Sequence, residues 1–107
     1  MSNPTTLSTE AIVTPEMLAC HVGSGSLPVL ATPMVAALLE QSACLLAQKY
    51  LDGGITSVGT KLSLSHDAPS PEGAHITATA TLVAQEGRVF RFTLEARDDA
   101  GVIATGT

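Results

Sequence analysis

Three residues have types and positions that could carry acid–base chemistry: Glu40, His66 and Thr32. Glu40 follows Leu38 and Leu39 inside an apolar run, where an unpaired ionised carboxylate costs several kcal/mol and therefore needs a partner. The competing placement is a narrow polar stripe, shared with Gln41 and Lys49, that reaches solvent. His66 closes a run that alternates with period two, through Val58, Thr60, Leu62 and Leu64, so it points the way Leu62 and Leu64 do. It is then either a core histidine bonded to a backbone carbonyl or a proton shuttle that meets Glu40. Thr32 has a sufficient structural role as the N-cap before Pro33. It also lies about 80° around and roughly 12 Å along a helix from Glu40, so a strand crossing that helix could bring His66 near both.

Other reactive types lack a setting for chemistry. His75 falls on the more polar face of its strand and His21 in a loop, so both should be solvated. Cys44 on a buried helix reads as packing, because reactive thiols need an accessible, electropositive setting. The sequence has no phosphate-binding glycine loop, zinc-ligand cluster or serine-hydrolase elbow; Gly23-Ser24-Gly25 is too short and lacks a strand-to-helix context. No metal and no resident cofactor are expected.

Composition narrows the partners. The 107 residues carry a formal net charge of −5 and are 45% hydrophobic, which suits one folded domain. The basic residues Lys49, Lys61, Arg88, Arg91 and Arg97 never cluster, which argues against nucleic acid. The apolar stretch from Met34 to Leu46 is interrupted by Glu40, Gln41 and Ser42 and is shorter than the roughly 20 residues of a membrane span, so no membrane partner is expected. Cys20 and Cys44 have neither metal-ligand spacing nor the density of a disulfide scaffold, and the first thirty residues lack a basic region followed by an apolar one. These features fit a reducing cytoplasm.

The elements that must position Thr32, Glu40 and His66 follow from local pattern. Residues 1–9 are polar and read as a flexible end, with a single domain over 10–107 and a strand starting near Glu10. Thr14-Pro15-Glu16 signals a short helix to about Cys20. From Met34 to Tyr50 there is no Gly or Pro, and the helix predicted there is apolar nearly all round, so it should be buried on every side. Asp52-Gly53-Gly54 should close it. Downstream, residues 58–66, 76–84, 90–96 and a last strand from Val102 alternate with period two and are separated by turns too short for helices, which predicts an antiparallel meander. The class is α+β, a sheet curled around one central helix. The last strand ends with the chain and would need its edge covered by further residues or by another subunit. The small, aromatic-poor core and a central helix that needs cover on every side point to a homodimer.

The segments Val29–Glu40, Thr56–Thr60 and Leu64–Pro71, continuing through Gly87-Arg88 and Ala96-Arg97-Asp98 to Gly106-Thr107, resemble the fluoroacetyl-CoA thioesterase-like branch of the hotdog-fold thioesterases. The resemblance covers nearly the whole chain after about residue 10. It departs at Pro33, where the fluoroacetyl-specific enzyme has glycine, and relatives continue for several residues past Thr107. It implies a hotdog fold, a curved antiparallel sheet wrapped around a central helix, and a homodimer with active sites between subunits. The family's catalytic Thr, Glu and His map onto Thr32, Glu40 and His66, and its strand glycine onto Gly59.

The implied activity is hydrolysis of a small acyl-CoA thioester. Glu40 would be nucleophile or water-activating base, His66 general acid/base and Thr32 an orienting hydroxyl, with the Gly59 N–H a contact for substrate or oxyanion. A few of Lys61, Arg88, Arg91 and Arg97 would hold the CoA nucleotide at the rim. The rivals are a hotdog hydratase or dehydratase and a non-catalytic acyl-CoA or small-ligand binding module.

Overall fold

The computed structural model describes residues 4–51 and 53–107; what the sequence suggests for Met1–Asn3 and Asp52 lies outside them. Strand β1 (Thr6–Ile12) is followed by a 3-10 turn (Pro15–Met17), helix α1 (Ala19–Val22) and the long helix α2 (Thr32–Gln48). Strands β2 (Leu64–His66), β3 (His75–Glu86), β4 (Val89–Asp98) and β5 (Gly101–Gly106) complete the domain. One antiparallel sheet forms in the order β1-β3-β4-β5-β2.

Strands β3 and β4 carry the alternation seen in the sequence. Ile76, Ala78, Ala80, Leu94 and Ala96 are buried against α2, whereas Arg91, Thr93 and Arg97 face out. Gly87, at φ 60, takes the first position of the two-residue turn between them, where glycine is favoured.

The sheet departs from a simple meander at both edges. β1 begins at Thr6, so residues 6–9 belong to the sheet and not to a loose end. Their polar character is that of the outer face, where Ser8 and Thr79 share a 2.7 Å hydroxyl bond, while Leu7, Thr9 and Ala11 turn inward. β2 pairs with β5, not with its sequence neighbour β3, so β5 has strands on both sides and is not the edge. Gly106 permits this pairing, since a Cβ there would collide with the Ser63 carbonyl.

Only Leu64–His66 of the anticipated long strand enters the sheet. Residues 55–62 make no backbone-to-backbone hydrogen bond among the described residues. Val58 is 81% exposed and Thr60 is exposed, so the alternation that places Leu62, Leu64 and His66 inward does not extend back to them. Among the described residues no neighbouring strand holds that phase.

Helix α2 is buried on one side only. Val35, Leu39, Ser42, Leu46 and Ala47 face the sheet, whereas Glu40, Gln41, Cys44, Leu45 and Gln48 are exposed. The expected all-round burial fails because one five-stranded sheet covers one face. The buried Ser42 hydroxyl donates to the Ala78 carbonyl at 2.8 Å and accepts from Thr9 Oγ1 at 2.7 Å. This polar pin fixes the helix's rotation, and Glu40, two residues earlier, turns outward.

Candidate active site

His66 is the last residue of β2, and the chain beyond it is held on both sides. A bulge sits in the β4/β5 ladder, with Ala96 opposite Ala104 and Arg97 opposite Val102, leaving Ile103 as the extra residue. Bulges re-aim backbone groups, and the Ile103 carbonyl accepts both Asp67 N–H, at 2.8 Å, and Ala68 N–H, at 3.2 Å. Ser70, fully buried, donates its hydroxyl to Asp98 Oδ2 at 2.9 Å, while its carbonyl accepts Leu30 N–H at 2.8 Å. Asp98 Oδ1 takes the N–H groups of Ala100 and Gly101. The loop after His66 is thereby tied to the residues just before α2.

That tie brings the first turn of α2 to the histidine. Thr32 Oγ1 lies 2.8 Å from His66 Nδ1. Thr32 is not the N-cap: Ala31, extended at φ −72 and ψ 140, holds that position, no side chain caps the helix, and Thr32 is the first helical residue. With Pro33 next, the turn has one fewer backbone N–H to satisfy, and the threonine hydroxyl is left for the histidine.

His66 Nε2 is buried and has no hydrogen-bond partner among the described residues. A buried N–H without an acceptor is the costlier of the two ways to leave that nitrogen bare. The favoured neutral tautomer therefore carries its proton on Nδ1, donated to Thr32 Oγ1, and the threonine hydrogen is free to point onward. The onward direction is a cavity of about 240 Å³ lined by Thr32 and His66 together with Ala19, Ser24, Val29 and Ala68. The contribution of Ala19 and Ser24 was not legible in the sequence, because it depends on α1 folding back so that Ala19 N–H bonds the Val29 carbonyl.

Glu40 stands elsewhere. It is exposed on α2, two turns from Thr32, and among the described residues it makes no hydrogen bond or ion pair with His66. Its carboxylate lies against Gly59, where a Cβ would collide with Glu40 Oε2. The four candidates thus form two pairs on one chain, Thr32 with His66 and Glu40 with Gly59. The buried placement considered for Glu40 gives way to the solvent-reaching one, because the sheet covers the opposite face of the helix.

The remaining candidates sort by their partners. Cys44 is exposed, contrary to the packing role expected on a buried helix, and accepts the Ser57 hydroxyl at 3.8 Å. His75 sits between Glu10 Oε1 at 3.0 Å and Asp99 Oδ1 at 3.9 Å. Arg91 and Arg97 pair with Glu86 and Glu95, while Lys61 and Arg88 make no ion pair among the described residues. In the exposed turn before α1, Glu16's own backbone N–H and the Thr14 hydroxyl hold its carboxyl below the usual range. No cluster of metal-ligating side chains occurs among the described residues, and no helix there is long and apolar enough to cross a membrane.

Comparison with known proteins places this geometry. The family model described as fluoroacetyl-CoA-specific thioesterase, FlK, matches residues 13–107. The fluoroacetyl-CoA thioesterase of Streptantibioticus cattleyicolor is 34% identical over 79 residues, a match that covers 74% of this chain and 57% of that protein's length. An alanine variant of FlK, solved in complex with fluoroacetate and CoA, superposes with a TM-score of 0.89 at 27% identity, covering 99% of this chain and 90% of the other. A thioesterase superfamily member from Thermus thermophilus shares the fold, with a TM-score of 0.88 at 24% identity over 98% of this chain and 78% of its own. The sheet wrapped on one helix is the hotdog fold of these neighbours, and the chain belongs to the fluoroacetyl-CoA-specific thioesterase family, FlK.

Proposed function

We propose that the protein hydrolyses short acyl-CoA thioesters to the free acid and CoA, as a homodimer whose active sites lie between the subunits. The observation that carries this reading is the Thr32/His66 hydrogen bond at the wall of a 240 Å³ cavity, room for a short acyl group. Glu40 and Gly59 are not among the residues lining that cavity, and Glu40 lies on the exposed side of α2, where a second subunit can dock. In the dimer, Thr32 and His66 of one subunit act with Glu40 and Gly59 of the other.

In this mechanism Glu40 takes a proton from water, whose oxygen adds to the thioester carbonyl. The Thr32 hydroxyl and the Gly59 N–H donate to the developing oxyanion. The intermediate then collapses, the carbon–sulfur bond breaks, and the proton that Glu40 took from water passes to the CoA thiolate, relayed by the imidazole/threonine pair, which restores the Glu40 carboxylate. In the alternative route Glu40 itself attacks and forms a mixed anhydride that water cleaves. Repeated turnover in heavy-oxygen water separates the two, since only covalent attack leaves solvent oxygen in the Glu40 carboxylate. Lys61 and Arg88 are the cations left to meet the CoA nucleotide, because Arg91 and Arg97 are already paired with carboxylates.

The test is a thiol-release assay with acetyl-, propionyl- and fluoroacetyl-CoA on the unaltered protein and on Glu40→Gln. Hydrolysis of at least one ester, lowered about a hundredfold or more in the folded variant, supports the proposal. Tight binding of CoA esters with no thiol released from any of them would establish a binding module instead.

A further inference from the structure

The segment between α2 and β2 lies along the helix in a matched repeat. Gln48 Nε2 donates to the Ile55 carbonyl at 2.9 Å, the Ser57 hydroxyl donates to Cys44 Sγ at 3.8 Å, and Gly59 abuts the Glu40 carboxylate. Helix positions 48, 44 and 40 thus meet strap positions 55, 57 and 59. Four helical residues rise about 6.0 Å and two extended residues about 6.6 Å, so an extended strap running antiparallel to the ridge meets one residue per turn at every second residue. Within residues 55–62 no backbone-to-backbone hydrogen bond among the described residues adds to this register; the next backbone pairing downstream is Ser63 with Thr107, where the chain joins the sheet.

We propose that Gln48 and Cys44 are positioning residues that set the register of this strap and so deliver the Gly59 backbone to Glu40. A slip of two residues would place Ser57 opposite Glu40, and a slip of one would place Val58 or Thr60 there. Each of these brings a Cβ to a place where even Gly59's would collide with Glu40 Oε2. The carboxylate is the mobile end of a long side chain, so it would be pushed aside while the fold survived. Register therefore controls where the Glu40 carboxylate sits, through an amide two turns away that touches neither substrate nor reacting atoms. The effect on rate rests on the hydrolytic reading above; the register itself does not.

The experiment separates the two. Ser57→Cys, in a Cys20→Ser background, places a thiol opposite Cys44, and oxidised glutathione converts the pair to one disulfide while being reduced to two glutathione thiols. Gln48→Glu keeps the length of the side chain but removes the Nε2 donor. In register, Cys44 and the introduced thiol should close rapidly, and adding Gln48→Glu should slow closure at least about fivefold and lower kcat about tenfold with little change in KM, less than the roughly hundredfold that a misplaced reacting group can cost. Oxidising the variant that carries both Ser57→Cys and Gln48→Glu should restore kcat. Equal closure rates with and without Gln48→Glu, or no closure at all, would overturn the proposal. Expected closure rates alongside full turnover in Glu40→Gln would leave the register intact and defeat only the hydrolytic role of Glu40.

Discussion

Thr32 Oγ1 and His66 Nδ1, 2.8 Å apart, join the first turn of α2 to the last residue of β2. The bond ties chemistry to a helix start that does not use the same hydroxyl for capping, since Ala31 holds the N-cap position. Fold and function are therefore separable at Thr32.

Thr32→Ala should leave stability nearly unchanged, well inside the about 1 kcal/mol of a lost side-chain cap, while hydrolysis falls at least about tenfold. Thr32→Ser should recover most of the rate. Thermal unfolding together with a thiol-release assay checks both parts. A capping threonine would instead lose rate and stability together.

His66→Asn can keep a hydrogen bond to Thr32, because the asparagine amide reaches the position of Nδ1, and it has no atom at the place of the unpartnered, buried Nε2. Removing a buried polar group that lacks a partner is close to neutral or stabilising. The variant should therefore unfold at or above the temperature of the unaltered protein while losing about a hundredfold or more in rate. A marked drop in unfolding temperature would mean that the imidazole supplies packing or an Nε2 bond that the asparagine does not replace.

How much of this was legible in the sequence depends on where the determining contacts lie. Helix α2 announces itself through a run without Gly or Pro, and the β3/β4 hairpin through its period of two and through Gly87, whose positive φ the turn requires. The approach of Thr32 to His66 was readable as a possibility from helix spacing and strand parity. The separation of Glu40 from His66 was not, because it depends on which helix face the sheet covers, and that is decided by Ser42 meeting Thr9 and Ala78 across long sequence distances. The parity of Val58 and Thr60 misled for a related reason: alternation records a face only where a strand has neighbours, and this stretch has none among the described residues.

Gly59→Ala tests the second pair. The new methyl would collide with Glu40 Oε2, and the flexible carboxylate, not the backbone, would give way. The variant should fold with an unfolding temperature near that of the unaltered protein and lose rate by about tenfold to a hundredfold, the scale for a displaced reacting group. Unchanged rate in a folded Gly59→Ala variant would show that the resting position of Glu40 is not its working one.

The last prediction concerns assembly. Val58 is 81% exposed and Ile55 52% exposed on a strap that makes no backbone-to-backbone hydrogen bond among the described residues, beside an α2 face that exposes Leu45 to 44%. An open, apolar extended edge pairs readily with another, and a two-fold contact through it would set Thr32 and His66 of one chain against Glu40 of the other. The unfolding temperature should then rise with protein concentration, and Val58→Asp should sediment as a monomer at micromolar concentration and lose activity. Mixing provides a sharper check, because His66→Asn and Glu40→Gln chains should each be nearly inactive alone. After exchange half of the dimers are mixed, and each mixed dimer has one site built from an intact His66 and an intact Glu40, so about a quarter of the original activity should return. Exchange of subunits without any recovery would place the whole site within one chain, and a fully active monomer would remove the interface from the mechanism.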